Sequence, residues 1–126
     1  MVVNKALMAD LDDRFLGMVP EGTIADLKTP GAKADTGKLR YDLLPPAAVR
    51  ELVRVLTYGA EKYSPNGWQQ VPDAKARYTA ALMRHFEALR AGEFFDPESG
   101  LPHLAHVLCN AVFLFEIALG NSKGKP

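Results

Sequence analysis

The stretch SGLPHLAHVLCNAVFLFE, residues 99–116, decides the fold. At ~100° per residue, Leu101, Leu104, Ala105, Leu108, Ala111, Val112 and Phe115 form one apolar stripe of a helix, while Val107, Phe113 and Leu114 belong to a second. The second stripe begins with His103, His106 and Asn110, which fall within about 60° of one another. Ser99 suits a helix cap and Pro102 the tolerant first turn, so a helix is predicted from about 100 to 119. A helix apolar on both sides is buried on both sides, and two neighbours of similar length hardly enclose it. A second copy of the chain, packed against this helix, would.

Two such neighbours are written upstream. Tyr78, Ala81, Leu82, Phe86 and Leu89 make the buried stripe of one helix, with His85 filling its vacant place and Gly92 ending it. Val49, Leu52, Val53, Leu56, Ala60 and Tyr63 write another, about 46–63, opened by the pair Pro45-Pro46, since a proline in the first turn loses no hydrogen bond. SPNGWQQVPD and EFFDPESG are the loops between them. No alternation strong enough for a strand occurs. The expected fold is all-α: a helical bundle of three main helices, completed by homo-oligomerisation as a homodimer or homotetramer. Residues 1–31, with weak periodicity and several Pro and Gly breakers, read as an N-terminal extension, 32–120 as the helical domain and 121–126 as a tail.

Composition narrows the function. The 126 residues are 48% hydrophobic, enough for one core, and 15 basic against 15 acidic residues give no electrostatic footprint for nucleic acid. The single Cys109 rules out a disulfide framework within the chain, fits a reducing cytoplasm and, on an apolar helix, reads as a buried inert thiol. No segment reaches the ~18 unbroken apolar residues of a membrane span.

The chain has three histidines, and all of them point from helices towards a shared interior. Imidazole binds divalent metals, and bundle cores hold such ligands on facing helices, so His85, His103 and His106 are candidate metal ligands. The loop FFDPESG supplies Asp96 and Glu98, oxygen donors suited to Mg²⁺ or Mn²⁺. The alternative is that the histidines are hydrogen-bonded core residues and the two acids ordinary turn residues. In DTGKLRYD, Lys38 and Arg40 are either phosphate ligands or part of a solvated loop. Trp68, Tyr58 and Tyr63 either stack on a nucleobase or belong to the core, and Glu61, off the apolar stripe, is either solvated or a ligand.

GKLRYDLLPP, YGAEKYSPNGW, RHFEALRAGE and DPESGLPHLAHVLCN, in this order, resemble the N-terminal domain of phage-type dATP/dGTP diphosphohydrolases, a group related to the MazG-like all-α nucleotide pyrophosphohydrolases. The likeness runs from about Lys33 to Glu116. In the wider group two helices carry E-x-x-E and E-x-x-D sets that bind Mg²⁺; here HLAH stands where E-x-x-D is expected and MRHFE replaces the E-x-x-E helix, and imidazoles favour softer ions than carboxylates do. The resemblance implies metal-dependent hydrolysis of a purine deoxynucleoside triphosphate to the monophosphate and pyrophosphate. His85, Asp96, His103 and His106 would hold the Mg²⁺ or Mn²⁺, and Glu61 or Glu98 would orient the water. Lys38, Arg40 and Lys62 would hold the phosphates, with Trp68 and Asn110 completing the substrate contacts. Such a protein would act in the cytoplasm, that of the host for a phage-encoded member. The rival class is a non-catalytic helical module that binds a nucleotide or a protein.

Overall fold

A computed structural model describes residues 27–121. The expectations for residues 1–26 and for most of the tail lie outside the described residues. The chain divides at Leu44–Pro45 into two units. In the first, the described residues 27–44 are turns ending in a 3₁₀ turn at Tyr41–Leu43.

The second unit is an all-α bundle. Helix α1 spans Pro46–Lys62, α2 Ala74–Arg90 and α3 His103–Ala118, with a short 3₁₀ turn at Gly67–Gln70. Pro45 stands at the N-cap of α1 and Pro46 is its first residue, the place where a missing N–H is harmless. Asn66 and Asp73 take the left-handed conformation (φ 60° and 52°), which suits the turns of SPNGWQQVPD between α1 and α2. Gly92, at φ 103°, lets the chain leave α2 in a direction no other residue adopts cheaply. Among the described residues there is no strand, only an isolated antiparallel bridge between Phe95 and Pro102.

Helix α3 packs against α2 and, less extensively, against α1. The core is thin: Val55, Ala105 and Cys109 are its buried residues, with Leu52, Leu56, Leu101 and Phe113 packed around them. The faces differ in detail from the sequence reading. Val55 rather than Val53 is the buried valine of α1, and Val53 and Phe86, both placed on buried stripes, are exposed. On α3 the side carrying His103, Ala105, His106, Cys109 and Asn110 is buried, whereas Leu104, Leu108 and Phe115 are 52%, 37% and 58% exposed. One chain supplies only two neighbours for α3, and those cover one stripe. Ser99 does not cap α3 either: the helix begins at His103 with Pro102 at the N-cap, and the Ser99 hydroxyl is turned to other partners.

Candidate functional site

A cleft of about 1140 Å³ opens within the second unit, walled by the C-terminal half of α1, the loop after it, α2 and α3. Ten of the residues singled out in the sequence as possible ligand, catalytic or stacking groups line it: Tyr58, Lys62, Tyr63, Trp68, His85, Asp96, Glu98, His103, His106 and Asn110. The cleft has two unlike ends. At one, Trp68 stacks on Phe113 with ring centroids 4.7 Å apart, and Tyr78 tilts against the same ring at 5.1 Å. At the other lie the imidazoles and the loop carboxylates.

The imidazoles form a network. The Nδ1 atoms of His85 and His103 are 2.9 Å apart, and His103 Nε2 is 2.7 Å from Glu93 Oε1. His85 stacks on His106 at 4.3 Å, nearly parallel. His106 Nε2 is 2.7 Å from Ser99 Oγ, which is 3.0 Å from Asp96 Oδ2. A carboxylate only accepts, so the Ser99 hydroxyl donates to Asp96, and His106 Nε2–H donates to Ser99 Oγ. The loop that holds these groups is closed tightly: the Asp96 N–H donates to the Leu101 carbonyl at 2.8 Å, and the Gly100 N–H to the Asp96 carbonyl at 2.8 Å. Gly100 makes that turn possible at φ 73°.

Burial disfavours the charged form of His85 and His106 and lowers both below the ordinary histidine value; for His106 the nearby Asp96 opposes this without cancelling it. Burial works against the Asp96 carboxylate too, but the Ser99 hydroxyl and the N–H groups of Glu98 and Ser99 outweigh it and keep Asp96 below the usual carboxylate range. Glu98 accepts from the Lys62 ammonium and from the Tyr58 hydroxyl, at 3.3 Å for the latter. The Lys62 partner holds Glu98 below its ordinary value and is itself held above that of a free lysine. Asn110 Nδ2 donates to the His106 carbonyl at 2.8 Å, and among the described residues its Oδ1 has no partner.

The four side chains expected to ligate a metal thus converge, but on one another. Among the described residues, no group of three or more His, Cys, Asp or Glu is placed to hold a metal ion. As they stand, His85, His103, His106 and Asp96 do not fit a resident ion.

One expected residue of this unit is elsewhere. Glu61 lines a separate shallow groove of about 580 Å³ with Arg50, Arg54 and Thr57. Lys38 and Arg40 belong to the first unit, where the Arg40 guanidinium forks onto Asp42 at 3.0 and 2.6 Å, both side chains exposed. Conversely, the cleft contains two cations the sequence reading passed over, Arg77 and Arg84 of α2. Their spacing of seven residues, two helical turns, put them on one side of the helix and was the available signal. Glu93 was also missed, and no periodicity marks it, because it lies in a loop.

A family model described as "dATP/dGTP diphosphohydrolase, N-terminal" matches residues 28–125. A relative named dATP/dGTP diphosphohydrolase, from Salmonella phage PMBT28, is 35% identical over 85 residues. That match covers 68% of this chain and 29% of the relative, so the chain spans less than a third of the relative's length. No solved structure matches.

Proposed function

The chain belongs to the family of dATP/dGTP diphosphohydrolase N-terminal domains, and we propose that its cleft binds a purine deoxynucleoside triphosphate and hydrolyses it to the monophosphate and pyrophosphate. The name of the phage relative supports the substrate class. The observation that carries the reading is the division of the cleft into an aromatic end, Trp68, Phe113 and Tyr78, and a polar end rimmed by Lys62 and Arg84. A nucleotide has the same two-part chemistry.

The base lies against Trp68, whose other ring face Phe113 already covers. Asn110 Oδ1, buried between the two ends, accepts from a base N–H, a donor both adenine and guanine carry. Arg84, Arg77 and Lys62 hold the phosphates, Lys62 exchanging its Glu98 partner for a phosphate oxygen. A divalent ion, Mg²⁺ or Mn²⁺, enters as companion of the triphosphate oxygens, whose charge it neutralises. This reading uses the unit that begins at Pro45, to which Lys38 and Arg40 do not belong, and Glu61 of the same unit lines the other groove. A homodimer or homotetramer, with a second copy over Leu104, Leu108 and Phe115, completes the bundle.

One observation favours a second reading. Four of the six imidazole nitrogens are hydrogen-bonded in the manner of core histidines, which suits a module that binds a nucleotide without cleaving it. Pyrophosphate release measured across a panel of ribo- and deoxynucleoside triphosphates with Mg²⁺ or Mn²⁺ separates the two. Release from dATP or dGTP is expected. Binding without release would assign the cleft to the module, and neither would remove the nucleotide altogether.

A further inference from the structure

His85 has two ring nitrogens, and only Nδ1 has a partner among the described residues. What its Nε2 offers the cleft depends on where the pair His85–His103 keeps its protons, and that is decided ten residues from His103, at Glu93. A carboxylate has no proton to give, so at the 2.7 Å contact His103 Nε2–H donates to Glu93 Oε1. A neutral imidazole carries one proton, so His103 Nδ1 is left bare and accepts. Across the 2.9 Å contact the donor is then His85 Nδ1–H. His85 has used its proton, so its Nε2 carries a lone pair, on a residue that lines the cleft.

We infer that Glu93, acting through His103, is a positioning residue that fixes the tautomer of His85, so that His85 Nε2 faces the substrate as a proton acceptor. The chain Glu93–His103–His85 has the logic of a carboxylate that orients an imidazole base, here extended by one more ring. Its side chains suit that use: His103 is 4% exposed, so its ring has little freedom to flip, while the Glu93 side chain is half exposed in the loop before α3. The stack of His85 on His106 holds the first ring in plane.

The use of this lone pair rests on the proposed function. There, a water gives one proton to His85 Nε2 while its oxygen forms the new bond to the α-phosphorus. The bond from that phosphorus to the bridging oxygen breaks, its electron pair leaves on pyrophosphate, and the imidazolium then loses the proton to solvent. The tautomer order itself needs no substrate.

Long-range ¹H–¹⁵N correlation spectra of the ¹⁵N-labelled full chain at pH 8 read it directly, with His85→Gln and His103→Gln used to assign the peaks. The expected wild-type pattern is His85 protonated on Nδ1 and bare on Nε2, and His103 the reverse. In Glu93→Ala the order should relax, so that His85 Nε2 acquires a proton part of the time. A wild-type His85 protonated on Nε2 would overturn the inference, as would an unchanged pattern in Glu93→Ala. The kinetic arm is pyrophosphate release from dGTP and dATP: Glu93→Ala should lower kcat roughly tenfold or more, with KM kept, as expected when a general base is misoriented. A relaxed tautomer with unchanged kcat would overturn the base role. No release by the wild type would sink the proposed function and leave the tautomer order to be judged on the spectra.

Discussion

The Nδ1 atoms of His85 and His103 stand 2.9 Å apart and tie α2 to α3 beneath the cleft. The same two helices also meet through the rings of Tyr78 and Phe113, 5.1 Å apart. The hydrogen bond adds a polar tie to that apolar contact.

Replacing His103 by alanine should destabilise the protein by about 1–3 kcal/mol, because a buried hydrogen-bonding group is removed and its partner left unmatched. Urea unfolding of wild type and variant measures it. A loss under ~0.5 kcal/mol, the range of an ordinary surface change, would show that the link contributes little.

Stability should fall as pH drops below ~6.5. Burial, first, lowers His85 and His106, and the other rings of the network add to it; Asp96 opposes for both, and Arg84 faces His85. With folded values below the unfolded one, the unfolded chain binds more protons in the window between them. The derivative of unfolding free energy with pH is then positive, at about 1.4 kcal/mol per pH unit for each proton of difference. Above the window both states carry neutral rings and the dependence flattens. Urea midpoints at pH 7.5, 6.5 and 5.5 test the sign, and stability that held or rose on acidification would contradict it.

The sequence made the helices and the meeting of the histidines legible for one reason: both depend on periodicity. His85 could be placed on a buried face because it fills a gap in a stripe, and His103 and His106 because they are one turn apart. What periodicity does not carry was missed. Glu93 reaches His103 through a loop closed by Gly92 and by the Phe95–Pro102 bridge, and nothing in the spacing announces that contact. Ser99 looked like a cap because its position before an apolar run is that of one; the αL turn at Gly100 diverts its hydroxyl to Asp96 and His106. Phe86 and Leu104 were read as buried since an apolar stripe says that a surface wants cover, not that one chain supplies it.

Cys109 is 3% exposed, and burial pushes its thiol up to about 12, so it should behave as an inert core residue. An aromatic disulfide reagent at pH 8 should label it only in denaturant. Stoichiometric labelling of the native protein within minutes would show that α3 opens far more readily than its packing implies.

The stripe Leu104, Leu108 and Phe115 leaves apolar surface to solvent on a helix that is otherwise the centre of the bundle. Light scattering at micromolar concentration should give a multiple of 13.8 kDa. Leu108→Arg, on a position already partly exposed in the single chain, should shift that mass to the monomer while the helical circular dichroism persists. A wild type that is monomeric would end the oligomer proposal.

The two ends of the cleft make separable predictions for nucleotide binding. Trp68 is the chain's one tryptophan, so its fluorescence reports on the aromatic end without labelling, and dGTP should quench it by stacking on the indole. Arg84 lines the cleft next to His85, and in the proposed orientation it meets phosphate and not base. Arg84→Ala should thus weaken dGTP by on the order of 1.5–3 kcal/mol, the range for a charge-assisted hydrogen bond, and weaken deoxyguanosine hardly at all. Trp68→Ala should do the reverse in kind, weakening nucleoside and triphosphate alike by about 1–3 kcal/mol. Calorimetric titration of both variants with both ligands gives a four-way comparison. If Arg84→Ala weakened deoxyguanosine as much as dGTP, or Trp68→Ala left both unchanged, the nucleotide would not lie along the cleft from Trp68 to Arg84, and the orientation proposed for it would be lost.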